Sequence, residues 1–337
     1  MSKFPKKRPC FIIASLLLLY TLVVGCSYNQ TSSTSDTKDA SGETLTIKLG
    51  LSSSNASYLP LFVAKEKNFF QKKGLNVEFS KVQGGVTALR GLQTGDFQII
   101  SSLPESIITG VAQGANMKII GTLDNKSMYS IYCTSDIQRP QDLKGKVIAT
   151  NRPGNGTDIQ LRWWLKKNGL DPNKDVRIIE AGENSTRLQA LISGQAKMTI
   201  LSQPADLKAE VAGLKKLVLM RDELKHYNHN MLIANGDFVK NQPKLVKDFM
   251  AAVGEATDYI KNPENRDEVI QLLMDELKMK KEDAEKSLDF VLPALADEGK
   301  ASIEGLKWAI ETTKQAGILK GNVSVNQLID KIVFQTD

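Results

Sequence analysis

From Leu45 to Val211, short strand-like runs alternate with helical runs, and this alternation constrains the fold more than any other feature. Leu45–Leu51 has strand character. Leu59–Lys72 sets Leu61, Phe62, Lys65 and Phe69 at helical spacing, with Pro60 in a first turn where its missing N–H costs nothing. Strands follow at Leu75–Val82, Phe97–Ile100 and Met117–Leu123, separated by helices at Gly85–Thr94 and Pro104–Gln113. After Asp142 the grammar returns. Lys146–Thr150, Val176–Glu180 and Met198–Leu201 read as strands; Thr157–Lys167, Ser185–Ser193 and Pro204–Val211 read as helices. Strands separated by helices imply α/β architecture with parallel sheets and helices on their faces.

The two stretches share more than grammar. Val77, Thr87, Leu89, Leu92 and Gly95 match Val176, Thr186, Leu188, Leu191 and Gly194 at a constant offset of 99. Any strand–loop–helix unit favours Leu at i and i+3 and Gly at the helix end, so the match supports common architecture; duplication stays open. Two similar lobes are expected. Beyond them, Pro243–Lys261, Arg266–Lys278, Lys281–Phe290 and Ser302–Gln315 read as helices clothing the first lobe.

The first residues read as an export signal. Lys3, Lys6, Lys7 and Arg8 precede an apolar run, Phe11–Val24, of 14 residues. A membrane-spanning helix needs about 20, so the run suits a cleaved signal. The sequence Leu22-Val-Val-Gly-Cys26 resembles a bacterial lipoprotein signal, which implies that Cys26 is the first mature residue and carries lipid (palmitate among its acyl groups). Residues 26–43 form a tether: Ser27–Glu43 holds eight Ser/Thr in 17 residues, too polar to order itself. Removing residues 1–25 leaves 312 of 337 residues, enough for two full cores. The net charge of +6 includes four Lys/Arg and no acid from that segment, so +2 remains. So weak a field gives no argument for nucleic acid. Of the three cysteines, Cys10 leaves with the signal and Cys26 is lipidated, so Cys133 has no partner for a disulfide.

In open α/β sheets ligands bind beyond the carboxyl ends of strands, at helix N-termini. That rule selects Ser53, Ser54, Asn55 and Tyr58 after the first strand, Gly84 and Gly85 after the second, and Ser101 and Ser102 after the third. In the second lobe it selects Gly154, Asn155, Gly156, Thr157, Ser202 and Gln203. Hydroxyls and free N–H groups there favour a small anion or an oxygen-rich neutral group; the same residue types also serve as plain caps and turns. Tyr58 reads as a loop tip able to stack on a ring. Trp163 and Trp164 lie within a helix, and at least one belongs to the core.

Leu59-Pro-Leu-Phe-Val-Ala-Lys-Glu-Lys-Asn-Phe-Phe-Gln-Lys-Lys-Gly-Leu-Asn-Val-Glu78, Ala88-Leu-Arg-Gly-Leu-Gln-Thr-Gly-Asp96 and Asp142-Leu-Lys-Gly-Lys-Val147 resemble the solute-binding proteins of bacterial ATP-driven (ABC) uptake transporters. The likeness is to the branch that groups sulfonate, taurine and nitrate binders with thiamine-precursor pyrimidine binders. It covers about Leu45 to Ala234 well and the C-terminal helices loosely. It implies a two-lobe periplasmic-binding-protein fold (type II) with crossovers near Tyr129–Thr134 and Asn228–Ala234. The first lobe would comprise residues 44–128 and 233–337, and the second 129–232. It also implies a monomer outside the cytoplasm, lipid-anchored to a bacterial membrane. Such a binder closes on a sulfonate, nitrate-like anion or pyrimidine and delivers it to a permease powered by a cytoplasmic ATPase. The chain departs from the family at Lys197-Met198-Thr199, where many members have Val-Asp-Ala, and at Gln203, where many have an acid before the Pro. A strongly cationic ligand headgroup is therefore not expected.

Rival chemistries lack residues. His226 and His229 are the only histidines, without the further ligands that a metal site requires. There is no Gly-x-Ser-x-Gly elbow or phosphate loop, and the cysteine cluster of the pyrimidine synthases is missing. No catalytic residue, metal or cofactor is expected. An exported enzyme on this fold, or a sensory lipoprotein presenting ligand to a receptor, remain the alternatives.

Overall fold

The computed structural model describes residues 45–330. The export segment 1–25, Cys26 and the tether at 26–43 lie outside the described residues. The first lobe opens with β1 (Leu45–Leu51), α1 (Leu59–Glu66), β2 (Leu75–Lys81), α2 (Gly84–Thr94), β3 (Ile99–Ser102), α3 (Pro104–Ala112) and β4 (Met117–Thr122). The second holds β5 (Ser130–Cys133), β6 (Val147–Thr150), α4 (Gly156–Lys167), β7 (Arg177–Glu180), α5 (Asn184–Ile192), β8 (Met198–Leu201), α6 (Ala205–Val211), β9 (Lys215–Leu219) and α7 (Met220–Glu223). The chain returns through β10 (Met231–Asn235) and ends in α8 (Gly236–Asn241), α9 (Pro243–Lys261), α10 (Arg266–Leu277), α11 (Lys281–Val291), α12 (Ile303–Gln315) and α13 (Val325–Leu328).

The two sheets share one plan, β2-β1-β3-β10-β4 and β7-β6-β8-β5-β9. Neither is purely parallel, which corrects the expectation from alternation. β10 runs antiparallel to β3 and β4, and β5 runs antiparallel to β8 and β9. The reason is the crossovers: each brings a strand into a sheet from the other lobe, against the direction set by the strand–helix–strand units. Both sheets reverse their winding between adjacent strands, β1 and β3 in one and β6 and β8 in the other. This is where α/β sheets open a crevice for ligands.

Local chemistry explains the punctuation. Pro60, Pro104 and Pro243 sit in the first turns of α1, α3 and α9. Gly95 and Gly194 take left-handed φ of 84° and 75° just past α2 and α5, as a helix stop requires. Helix α1 is shorter than its periodicity predicts. Asn68 turns left-handed (φ 58°) and Phe70 folds under the lobe to stack on Phe249 at 5.2 Å. Helices α9 to α11 join the first lobe's core around Ile47, Leu49 and Phe62. Helix α12 does not simply clothe that lobe. Leu306 and Ala309 share one apolar cluster with Ile107 of α3 and Leu161 of α4, and Trp163 Nε1 donates to Gln315 at 3.0 Å. Both Trp163 and Trp164 are core residues of this seam, and Cys133 is buried in β5.

The two crossovers are tied side by side. Asn230 donates to Asp124 Oδ2 at 2.9 Å and to Ser57 Oγ at 2.6 Å, and the His229 N–H donates to the Asp124 carbonyl at 2.9 Å. Burial pushes the Asp124 carboxyl up. Burial, with the nearby Arg221 charge, pushes His229 down to about 3, so its imidazole is neutral at physiological pH.

Candidate functional site

A cavity of about 30 Å³ lies between the sheets, with room for roughly two water-sized groups. Both lobes build it. Ser52 and Ser53 follow β1, Gly84 and Gly85 open α2, and Ser102, Leu103 and Ser106 frame the start of α3. From the second lobe come Asn151 after β6, Asn155, Gly156 and Thr157 at the start of α4, and Glu183, Asn184 and Arg187 at the start of α5. Tyr129 and Asn230 enter from the crossovers.

Four helices, α2, α3, α4 and α5, therefore begin at this cavity, and none has its first turn capped by the side chain of its own N-cap residue. The first four N–H groups of a helix have no intrahelical acceptor. One of them, Val86 N–H, donates across the cleft to Asn155 Oδ1 at 3.1 Å. Each N-terminus carries a partial positive charge worth about 1 kcal/mol to a nearby anion. Beside them, Ser102, Ser106 and Thr157 are no more than 3 % exposed, yet their hydroxyls have no partner. Buried hydroxyls are nearly always satisfied, so this group of orphans points to a ligand bearing several oxygens.

Arg187 supplies a full charge beneath this ring. Its guanidinium donates to the carbonyls of Ile200 (3.1 Å) and Gly182 (2.5 Å) and to Asn184 Oδ1 (2.6 Å). Burial lowers its pKa, against the pull of Tyr129 and Glu183; an Arg still stays protonated. Burial pushes Glu183 up, while Arg187 and a hydrogen bond from Asn151 hold it down.

The lobes approach closely because two facing positions lack a side chain. A Cβ on Gly84 (φ +76°) would fall 2.4 Å from Asn155 Nδ2, and one on Gly156 would fall 2.5 Å from Leu103 Cδ1. Within the first lobe, one on Gly85 would meet the Ser106 and Ser102 hydroxyls at 2.3 and 2.4 Å. Glu105 completes the seam. Its carboxylate accepts from Tyr227 Oη at 2.7 and 2.9 Å, and that hydroxyl accepts from Gln160 of α4 at 2.7 Å.

Of the residues that the strand-end rule selects, Ser53, Gly84, Gly85, Ser102, Asn155, Gly156 and Thr157 line the cavity. Asn55, Ser202 and Gln203 line a smaller one, about 10 Å³, with Met128 and Phe290. Gln203 therefore says nothing about charge in the main cavity. Four residues line neither. Ser54 is exposed, Ser101 is buried in β3, and the Gly154 N–H donates to Asp158. Tyr58 is no loop tip: it is fully buried, and its hydroxyl accepts from Ser53 Oγ at 3.3 Å. Sequence reasoning missed Glu183, Asn184 and Arg187, although the same rule applied to the strand Val176–Glu180 reaches them.

Burial raises the Glu105 carboxyl from the ordinary 4.5 to about 7. Between those values the folded protein holds a proton that the unfolded chain has released. Stability conferred by the protonated group is thus full below about 4.5 and is lost as pH rises towards 7, by roughly 3 kcal/mol in all. Glu105→Gln should remove this loss, leaving the variant more stable than wild type at pH 8. Denaturant midpoints at pH 5 and 8 check it; equal pH slopes in both proteins would refute the assignment.

The chain belongs to the NMT1/THI5-like family, whose profile matches residues 55–266, more than half of it. It is 24% identical over 302 residues to YtlA of Bacillus subtilis (strain 168), spanning 87% of this chain and 90% of that protein. It is 25% identical over 256 residues to the nitrate/nitrite binding protein NrtA of Synechocystis sp. (strain ATCC 27184 / PCC 6803 / Kazusa), spanning 68% of this chain but 57% of NrtA. The fold matches the alkanesulfonate-binding protein SsuA from Xanthomonas axonopodis pv. citri, solved with MOPS bound, at a TM-score of 0.72 and 18% identity. That match covers 85% of this chain and 98% of SsuA. The two-lobe fold of periplasmic binding proteins is thus the fold of this chain.

Proposed function

We propose that this protein is the extracytoplasmic solute-binding component of an ATP-driven importer. It takes a small oxyanion between its lobes and hands it to a permease. The observation that carries the reading is the convergence of four uncapped helix starts and three unpartnered hydroxyls on one cavity shared by both lobes. A ligand that contacts both lobes favours the closed form by its differential affinity. The relatives named for binding nitrate and alkanesulfonate support the ligand class. Relatives named as binding proteins support binding without covalent chemistry.

In this reading Cys26 carries the lipid, residues 26–43 are the tether, residues 44–128 with 233–337 make the first lobe, and residues 129–232 make the second. The monomer stays near its permease at high effective concentration. Melting curves test the ligand class. Nitrate, bicarbonate, short alkanesulfonates and pyrimidines are added to the purified protein. A bound member at a hundred times its Kd adds about 2.7 kcal/mol, an upward shift of about 5 °C for a chain this size. No shift with any of them would remove the proposed function.

A further inference from the structure

The cavity that collects donors also holds one carboxylate, and no donor answers its inner oxygen. Glu183 Oε1 is buried without a hydrogen-bond partner. Arg187, one helical turn on, does not satisfy it, because its three guanidinium nitrogens are directed to Ile200, Gly182 and Asn184. Every other polar group lining the cavity either donates or can do both; Glu183 is the one acidic side chain among them. Asn151 and the Arg187 charge act on the carboxylate, yet a buried carboxylate oxygen left without a donor is costly. Facing the oxygens of a bare oxyanion would make it costlier still.

Resting on the oxyanion reading above, we propose that Glu183 determines specificity: the ligand carries an N–H or O–H donor as well as its oxyanion group. Arg187 and the helix starts take the anionic oxygens, and Glu183 Oε1 accepts from the donor. Glu183 Oε1 finds a donor in the closed cavity only when the ligand brings that hydrogen. A planar anion with a hydroxyl, such as bicarbonate, or an aminosulfonate carries both groups. Nitrate and simple alkanesulfonates, which present oxygen alone, are rejected. Sites built to pair a ligand's O–H or N–H discriminate strongly against analogues that lack it. The chemistry that Gln203 does not supply is thus offered at another position, by a residue that the second lobe holds at the mouth of α5.

Two matched pairs test this by titration calorimetry: bicarbonate against nitrate, and 2-aminoethanesulfonate against ethanesulfonate. In wild type, the donor-bearing member of at least one pair should bind more than tenfold tighter. In Glu183→Gln, whose amide both donates and accepts, that preference should fall to within about threefold, with the donor-free member gaining. Equal binding within both pairs, or discrimination kept by Glu183→Gln, would overturn the inference while leaving the oxyanion site standing. Nitrate binding that strengthens on acidification would support it, because a protonated Glu183 donates as the Gln amide does. Binding of none of the four would overturn it together with the oxyanion reading.

Discussion

Gly156→Ala should weaken ligand binding ten- to roughly hundredfold while leaving each lobe folded. Gly156 opens α4, and its φ is not left-handed, so Ala suits the backbone and is about 1 kcal/mol better inside a helix. The added Cβ meets nothing in its own lobe at closest range. Its nearest neighbours are Leu103 Cδ1 at 2.5 Å, Leu103 Cβ at 2.6 Å and Glu105 Oε2 at 2.8 Å, all across the cleft. Leu103 Cβ cannot swing aside as a side-chain tip can. Overpacking of this kind costs about 1–3 kcal/mol, charged entirely to the closed form, and each 1.4 kcal/mol is tenfold in affinity. Calorimetry and melting curves together check the prediction. Unchanged affinity would mean that the ligand does not need this close approach.

Arg187→Met should cost both stability and binding. The side chain is buried, and its charge serves three protein acceptors at once: two carbonyls and the Asn184 amide oxygen. Methionine matches much of the volume but leaves those acceptors unpaired and Glu183 without its nearby countercharge. Removing one member of a buried charged network costs about 3–5 kcal/mol, so the denaturant midpoint should fall with little change in slope. Oxyanion affinity should be lost in the same variant. Arg187→Lys restores a charge without the planar fork, so it should recover part of the binding and little of the stability. A Met variant as stable as wild type would show that Arg187 does not hold the loop between β7 and α5.

Much of the first lobe was legible because its signals are local. Leu45–Leu51 and Pro243–Lys261 fall where strand content, Pro and helical spacing place them. The antiparallel strands were not, because their partners are remote. Met231 pairs with Ser102, and Ser130 with Leu201; short apolar runs carry no sign of which strand they enter between. Tyr58 misled for a related reason. Surrounded by Ser and Asn it reads as a loop, but those residues form one turn of 3-10 helix that drives the ring inward. In the site, glycines and hydroxyls at strand ends announce themselves. Arg187 is quieter: the strand-end rule reaches its loop, but a charged residue in the first turn of a helix ordinarily faces water, and its burial against Gly182 and Ile200 shows otherwise.

The central claim is that ligand closes the two lobes on one another. X-ray scattering measures this directly, on wild type and Gly156→Ala, with and without the panel member that raises the melting temperature most. The account predicts one-to-one compaction of wild type, saturating with binding, and little or none in Gly156→Ala. Ligand binding that leaves the wild-type scattering profile unchanged, or compacts both proteins alike, would contradict it.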